Sequence, residues 1–191
     1  MSKYIFLDRD GTINYDDEGY IAKPEDFRLF PWTIKALKIL IEIGYEIVII
    51  SNQSGIARGF YTFADVEKIH KKMLDIFHQN EIKIKEIFVS PYLKEGIIEP
   101  FNIEHEDRKP GIGFYKKFVK YNTVDKHKSY VIGDSSKDFN FAKNAGLKSI
   151  LVLSGHGKNH FEKAIETKNY PDFAVENLLS AARLIQKLER K

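Results

Sequence analysis

Asp8 and Asp10 stand two apart directly after a short apolar run, Tyr4 to Leu7, in the string Asp8-Arg9-Asp10-Gly11-Thr12. Side chains two apart at a strand end lean to the same side. One carboxylate of such a pair can attack phosphorus and form an aspartyl phosphate. The other can protonate the leaving oxygen and then activate water. Gly11 lets the backbone turn sharply beside a phosphate. A phosphate dianion repels a carboxylate nucleophile, so a cation is required, and Mg2+ held by oxygens of Asp8, Asp10 and Asp134 would meet that need. Lys109 supplies fixed positive charge, and Ser51 with neighbouring N–H groups supplies hydrogen bonds, to the equatorial oxygens. Alone, an Asp-x-Asp is usually a solvated turn, a Ser after a strand a cap, and a Lys-Pro a surface turn. The reading rests on their joint occurrence.

The elements that must position these residues alternate. Apolar runs at 4–7, 46–50, 87–89, 130–132 and 149–153 read as strands. Helical spacing marks 33–43, a long helix from a Thr62 cap with Asp65 three residues on, 113–121, 138–145 closed by Gly146, and 178–188. Such strand–helix units predict an α/β, Rossmann-like parallel sheet with helices on both faces, in one domain over 1–191. Ligands bind such sheets beyond the carboxyl ends of the strands. The polar residues at those ends form one set: Asp8 and Asp10; Ser51, Asn52 and Gln53; Arg108 and Lys109; Asp134, Ser135 and Asp138. Acid, base and hydroxyl together suit a divalent cation and a phosphate.

Composition narrows the partners. The 191 residues are 43% hydrophobic and 30% charged with net charge +3, and no dense Lys/Arg stripe suggests nucleic acid. Without cysteine there is no disulfide or thiolate chemistry. No apolar run is long enough to span a membrane, and an apolar strand by residue 4 leaves no room for a signal peptide. A cytoplasmic monomer is expected, with no nucleic-acid or membrane partner.

The four strings Asp8-Arg9-Asp10-Gly11-Thr12, Ser51-Asn52, Lys109-Pro110 and Gly133-Asp134-Ser135-Ser136-Lys137-Asp138, in this order, resemble the motifs of the haloacid dehalogenase (HAD) superfamily. The resemblance spans about residues 4 to 155 and implies magnesium and an aspartyl-phosphate intermediate. More narrowly, Asp8 to Asn14, Asn52 to Gly59 and Arg108-Lys109-Pro110 resemble the D-glycero-D-manno-heptose 1,7-bisphosphate 7-phosphatases. That likeness implies Asp8 as nucleophile, Asp10 as acid/base, and Ser51 and Lys109 as phosphoryl stabilisers. It implies substrate contacts from Arg108, the 16–20 stretch with Asp16, Gly19 and Tyr20, and Asn52, Gln53 and Ser54. The segment between Asn14 and Phe27 would be a small flap in place of a large cap domain, and the substrate a small phosphorylated sugar.

Two departures stand out. The family usually holds a structural zinc with three Cys and one His; the matching positions here are Ser90, Tyr92, His105 and Asp107. Zinc is therefore not expected, and the loop should be held by packing of Tyr92, Ile97, Ile98 and Phe101. Ser135, counted with the substrate residues, stands where these enzymes commonly have Lys. His70 and His78 read as solvent-facing or packed on a helix, His127, His156 and His160 as loop residues, and Trp32 as packing. The alternatives are a histidinol-phosphate or other phosphomonoester phosphatase, a receiver-like module phosphorylated on Asp, and a phosphosugar-binding relative without strong catalysis.

Overall fold

The computed structural model describes residues 1–16 and 19–190. Asp17 and Glu18, which belong to the 16–20 stretch expected at the substrate, lie outside the described residues. Strands β1 (Lys3–Leu7), β2 (Tyr45–Asn52), β3 (Ile84–Ser90), β4 (Tyr130–Gly133), β5 (Lys148–Val152) and β6 (Phe173–Val175) form one sheet in the order β3-β2-β1-β4-β5-β6. Every pairing is parallel.

Parallel strands must be covered on both faces, and the alternation along β1 does this. Ile5 and Leu7 enter one core with Ile47, Ile49 and Ile132. Helices α1 (Thr33–Glu42), α2 (Phe63–Gln79) and α6 (Leu178–Glu189) close it with Leu37, Leu40, Ile69, Met73, Phe77 and Ile185. Tyr4 and Phe6 enter the opposite core with Val48, Ile50 and Val131. Here α3 (Gly113–Val119) and α4 (Ser136–Ala145) contribute Phe114, Phe118, Phe141 and Ala142. The remaining helix, α5 (Gly157–Thr167), packs through Ala164 against Phe139 and Leu151.

The caps follow the sequence. Thr62 and Asp65 form a reciprocal capping box at the start of α2, and Gly146 ends α4 in the left-handed region, φ 71°. Two elements escape the periodicity argument. β6 has only three residues, too few to alternate, and α5 shows the protein little beyond Phe161 and Ala164, while Ile165 is exposed. The segment after Asn14 folds back on the domain. Asn14 bridges to Leu29, Pro24–Asp26 makes one 3-10 turn, and Ile21 and Phe27 are buried in the first core.

The loop at Ser90–Asp107 is only partly held as the sequence suggests. Tyr92 stacks on His105 with ring centroids 3.8 Å apart and meets Phe101 edge-on at 6.0 Å. Ile97, however, is exposed; it is the Ile97 and Ile98 main-chain N–H groups that bond, both to the Ala57 carbonyl. Among the described residues no helix is long and apolar enough to cross a membrane.

Strand order reverses at β1, whose neighbours are β2 on one side and β4 on the other. Leu7 is level with Ile49 of β2 and Ile132 of β4, so β1 and β4 end at nearly one height while β2 runs on to Asn52. The crevice there is where an open α/β sheet offers its ligand site.

Candidate active site

The loop after β1 is a tight, internally bonded turn. The Arg9 carbonyl accepts N–H bonds from Thr12, Ile13 and Asn14, and Gly11 donates back to the Asn14 carbonyl. Gly11 has φ 75°, and a side chain there would collide with the Asp134 carboxylate. Glycine is needed at this point both for the turn and to let the ends of β1 and β4 close together.

Lys109 is buried between two carboxylates. Its Nζ lies 2.7 Å from Asp8 Oδ1 and 2.6 Å from Asp138 Oδ1. Burial works against the ammonium, but the charges of Asp138 and Asp8 outweigh it, and the Lys109 pKa is raised. Asp8, Asp134 and Asp138 bring one carboxylate oxygen each to within 4.8 Å of one another. Burial, then the Asp138 charge, push Asp8 up to about 7. Burial, then Asp8 and Asp138, push Asp134 up to about 8. Three converging carboxylates with one lysine leave uncompensated negative charge. Hard oxygen donors in this number fit Mg2+, so Asp8, Asp134 and Asp138 are the side chains that could hold it.

The Asp10 carboxylate is not among the three that converge. Its carboxylate accepts four hydrogen bonds: Arg9 Nε at 2.9 Å, Arg9 Nη2 at 2.8 Å, Asn14 Nδ2 at 2.9 Å and Gln53 Nε2 at 2.7 Å. These bonds engage both side-chain oxygens. Burial would raise its pKa, but the Arg9 charge and bonds, with those of Asn14 and Gln53, lower it. Asp10 is thus held ionised, the form that acts as a base. To act as an acid it must first be protonated, which an arriving phosphate dianion favours by like-charge repulsion.

A cavity of about 240 Å³ opens over these groups. Of the residues expected from the sequence, it brings together Asp8, Asp10, Ser51, Lys109, Asp134, Asp16, Gly19, Tyr20, Asn52, Ser54 and Ser135. Several also make bonds within the protein. Asn52 lines the cavity, yet its Oδ1 accepts the Lys109 N–H at 3.0 Å and its Nδ2 donates to the Lys109 carbonyl at 3.1 Å. Gln53 does not line it: its amide nitrogen donates to Asp10 and to Ser51 Oγ, and its oxygen accepts from the Tyr61 hydroxyl at 2.8 Å. The Ser135 hydroxyl is committed to Asp138 at 2.5 Å, in the capping box that starts α4. Arg108 lies next door, in an adjoining cavity of about 510 Å³ that shares Lys109 and Lys137 with the first, and donates to the Tyr92 carbonyl at 2.9 Å.

Other lining residues are not singled out by spacing. Lys137, Tyr61, Ile21, His156 and His160 all face the cavity. The two histidines belong to the start of α5, the helix the sequence conceals; the His156 N–H donates to Asp134 Oδ2 at 2.7 Å and its ring lies 3.6 Å from Asp16. Asp138 stands inside the Gly133–Asp138 string, but its role as a partner of Lys109 becomes visible only when β4 and the Lys109 loop meet. His70 is no surface residue: it is buried against Arg9, at 3.1 Å.

Comparison with known proteins adds names to this geometry. The HAD-hydrolase-like family matches residues 107–181. A D-glycero-beta-D-manno-heptose-1,7-bisphosphate 7-phosphatase of Rhodopseudomonas palustris is 40% identical over 142 residues, 74% of this chain and 78% of that protein. The D-glycero-alpha-D-manno-heptose-1,7-bisphosphate 7-phosphatase of Photorhabdus laumondii is 35% identical over 184 residues, 93% of this chain and 96% of that protein. The crystal structure of D,D-heptose 1,7-bisphosphate phosphatase from B. bronchiseptica, complexed with magnesium and phosphate, superposes with a TM-score of 0.83 at 28% identity, covering 99% of both chains.

Proposed function

Because the chain belongs to the haloacid dehalogenase-like phosphatases, and so to the phosphoric monoester hydrolases, we propose that it removes the 7-phosphate of D-glycero-D-manno-heptose 1,7-bisphosphate through an aspartyl-phosphate intermediate. The observation that carries the reading is the buried Lys109 pinned between Asp8 and Asp138, with Asp134 beside them, at the point where strand order reverses. The relatives named for heptose bisphosphate supply the substrate class.

In this reading an Asp8 oxygen attacks phosphorus and the bond to the sugar oxygen breaks. Asp10 gives its proton to that oxygen, then takes one from the water that cleaves the acyl phosphate. Lys109 and the Ser51 hydroxyl meet the phosphoryl oxygens. Ser51 Oγ accepts from Gln53, which leaves its proton free to donate. Mg2+ held by Asp8, Asp134 and Asp138 would offset the repulsion between nucleophile and dianion. Arg108 lies on the side of the adjoining cavity, where the phosphate that is not cleaved would extend.

Asp10 sets this apart from a receiver module, which has no need of a second carboxylate as proton donor. Phosphate release from heptose 1,7-bisphosphate and from histidinol phosphate, each with and without magnesium, tests the substrate. Preference for the bisphosphate by at least tenfold in kcat/KM, about 1.4 kcal/mol of discrimination, is expected. Equal, feeble turnover of both would overturn the assignment.

A further inference from the structure

Arg9 has no exposed surface. Guanidinium groups are almost never fully buried unless paired, and each buried donor left without an acceptor is costly. Two of its nitrogens, Nε and Nη2, are met by Asp10. The third, Nη1, is met by Nε2 of His70, which lies sixty-one residues away on α2. A guanidinium can only donate. The imidazole nitrogen facing it must therefore accept, and the His70 proton sits on Nδ1. Burial and the Arg9 charge push His70 down to about 4, which agrees with a neutral ring.

The position of His70 on its helix argues against packing as its only purpose. Val66, Ile69, Met73 and Phe77 make the buried stripe of α2, and His70 falls within it. An aliphatic side chain would satisfy that stripe. Imidazole adds an acceptor at the point where the buried guanidinium has a donor left over.

The consequence reaches Asp10. Its carboxylate is steered by three arms: Asn14 from its own turn, Gln53 backed by the Tyr61 hydroxyl, and Arg9 backed by His70. Planar bidentate pairing transmits orientation, because the carboxylate plane follows the guanidinium plane. Holding one more nitrogen of Arg9 fixes that plane.

We propose that His70 is a positioning residue for Asp10: it ends a His70–Arg9–Asp10 relay of hydrogen bonds that aims the Asp10 carboxylate into the cleft. His70 does not line the cavity, so it touches no substrate. The inference rests on the phosphatase reading but not on which sugar is used, and p-nitrophenyl phosphate is therefore a sufficient probe.

The test compares His70→Leu and His70→Gln by steady-state kinetics with magnesium, alongside thermal melting. Leucine fills the space and removes the acceptor. Because Lys109 and Ser51 are untouched, kcat should fall roughly tenfold while KM stays within about twofold. Glutamine offers a carboxamide oxygen to Arg9 and should restore kcat to within about threefold of wild type. A leucine variant with wild-type kcat, however unstable, overturns the proposal. So does a glutamine variant as slow as leucine, or a loss confined to KM. Should the leucine variant not fold, the glutamine variant and the wild-type ring decide: nitrogen NMR finding Nε2 unprotonated at neutral pH supports the relay, and a proton on Nε2 overturns it. An inactive wild type would sink the relay and the phosphatase reading together; an active one insensitive to His70 sinks only the relay.

Discussion

Asn52 and Lys109 exchange two hydrogen bonds, side-chain amide to main chain, across fifty-seven residues of sequence. Both ends of the Asn52 amide are used, so the residue clamps the segment that carries the buried ammonium onto the end of β2. The likeness to the heptose enzymes places Asn52 at the substrate. The geometry gives it a supporting role as well, holding the segment that carries Lys109.

Asn52→Ala removes both bonds and leaves the Lys109 main chain unpartnered. Each buried bond lost is worth about 1–3 kcal/mol. The expected result is a kcat/KM lower by roughly one to two orders of magnitude, carried mostly by kcat, since Lys109 is displaced for every phosphate ester alike. Kinetics with p-nitrophenyl phosphate and with a sugar bisphosphate check this. A defect in KM for the sugar alone would return Asn52 to the substrate contacts.

The raised carboxyl groups make stability depend on pH. Asp8 at about 7 and Asp134 at about 8 lie above the roughly 3.9 of an unfolded aspartate. Between those limits the folded state holds more protons than the unfolded chain, so stability falls as pH rises toward 8. His70, lowered to about 4, acts in the opposite sense but only below about pH 6.5. Metal-free protein should therefore lose melting temperature from about pH 6.5 to 8. Magnesium needs the ionised carboxylates, so the rise in melting temperature that it causes should grow over the same interval. Melting curves with chelator and with magnesium test this; an increment independent of pH would count against the carboxylate cluster as the cation site.

The cleft is legible in the sequence through the strand-end rule. Asp8, Ser51, Lys109 and Asp134 each follow or precede a periodic segment, and the sheet brings all four together. Relations between segments are what periodicity hides. Asp138 stands in the strand-end set, but spacing does not reveal that it bonds Lys109 across twenty-nine residues. Spacing likewise says nothing of Arg9, Asn14 and Gln53 closing on the Asp10 oxygens. α5 is not read as a helix, and His156 and His160 are taken for loop residues, because Phe161, Ala164 and Ile165 give too sparse a stripe.

Asp10→Asn tests the proton transfer. Asparagine keeps the size but cannot donate a carboxyl proton, and its amide nitrogen would face the Arg9 fork. Turnover should drop by about 10²- to 10⁴-fold, the usual contribution of a positioned acid or base. Magnesium affinity, read by thermal shift, should change little if the cation sits with Asp8, Asp134 and Asp138. Abolished magnesium binding in this variant would restore Asp10 to the cation set.

Arg108 tests the direction of the substrate. It stands outside the cavity that holds Asp8, and Lys137 and Lys109 join its own cavity to that one. Burial, followed by the facing Arg58 charge, lowers its pKa, yet a guanidinium stays protonated at any working pH. One of its nitrogens is tied to the Tyr92 carbonyl, which fixes the side chain and leaves the rest of the fork for an anion. In the proposed complex that anion is the phosphate that is not cleaved. Arg108→Ala should then raise KM for the heptose bisphosphate by roughly tenfold or more, the scale of a charge-assisted bond of about 1.5–3 kcal/mol. For p-nitrophenyl phosphate, which has no second phosphate, the rise should be several-fold smaller, so the ratio of the two changes is the quantity to measure. Equal rises would place Arg108 at the cleaved phosphate, beside Lys109.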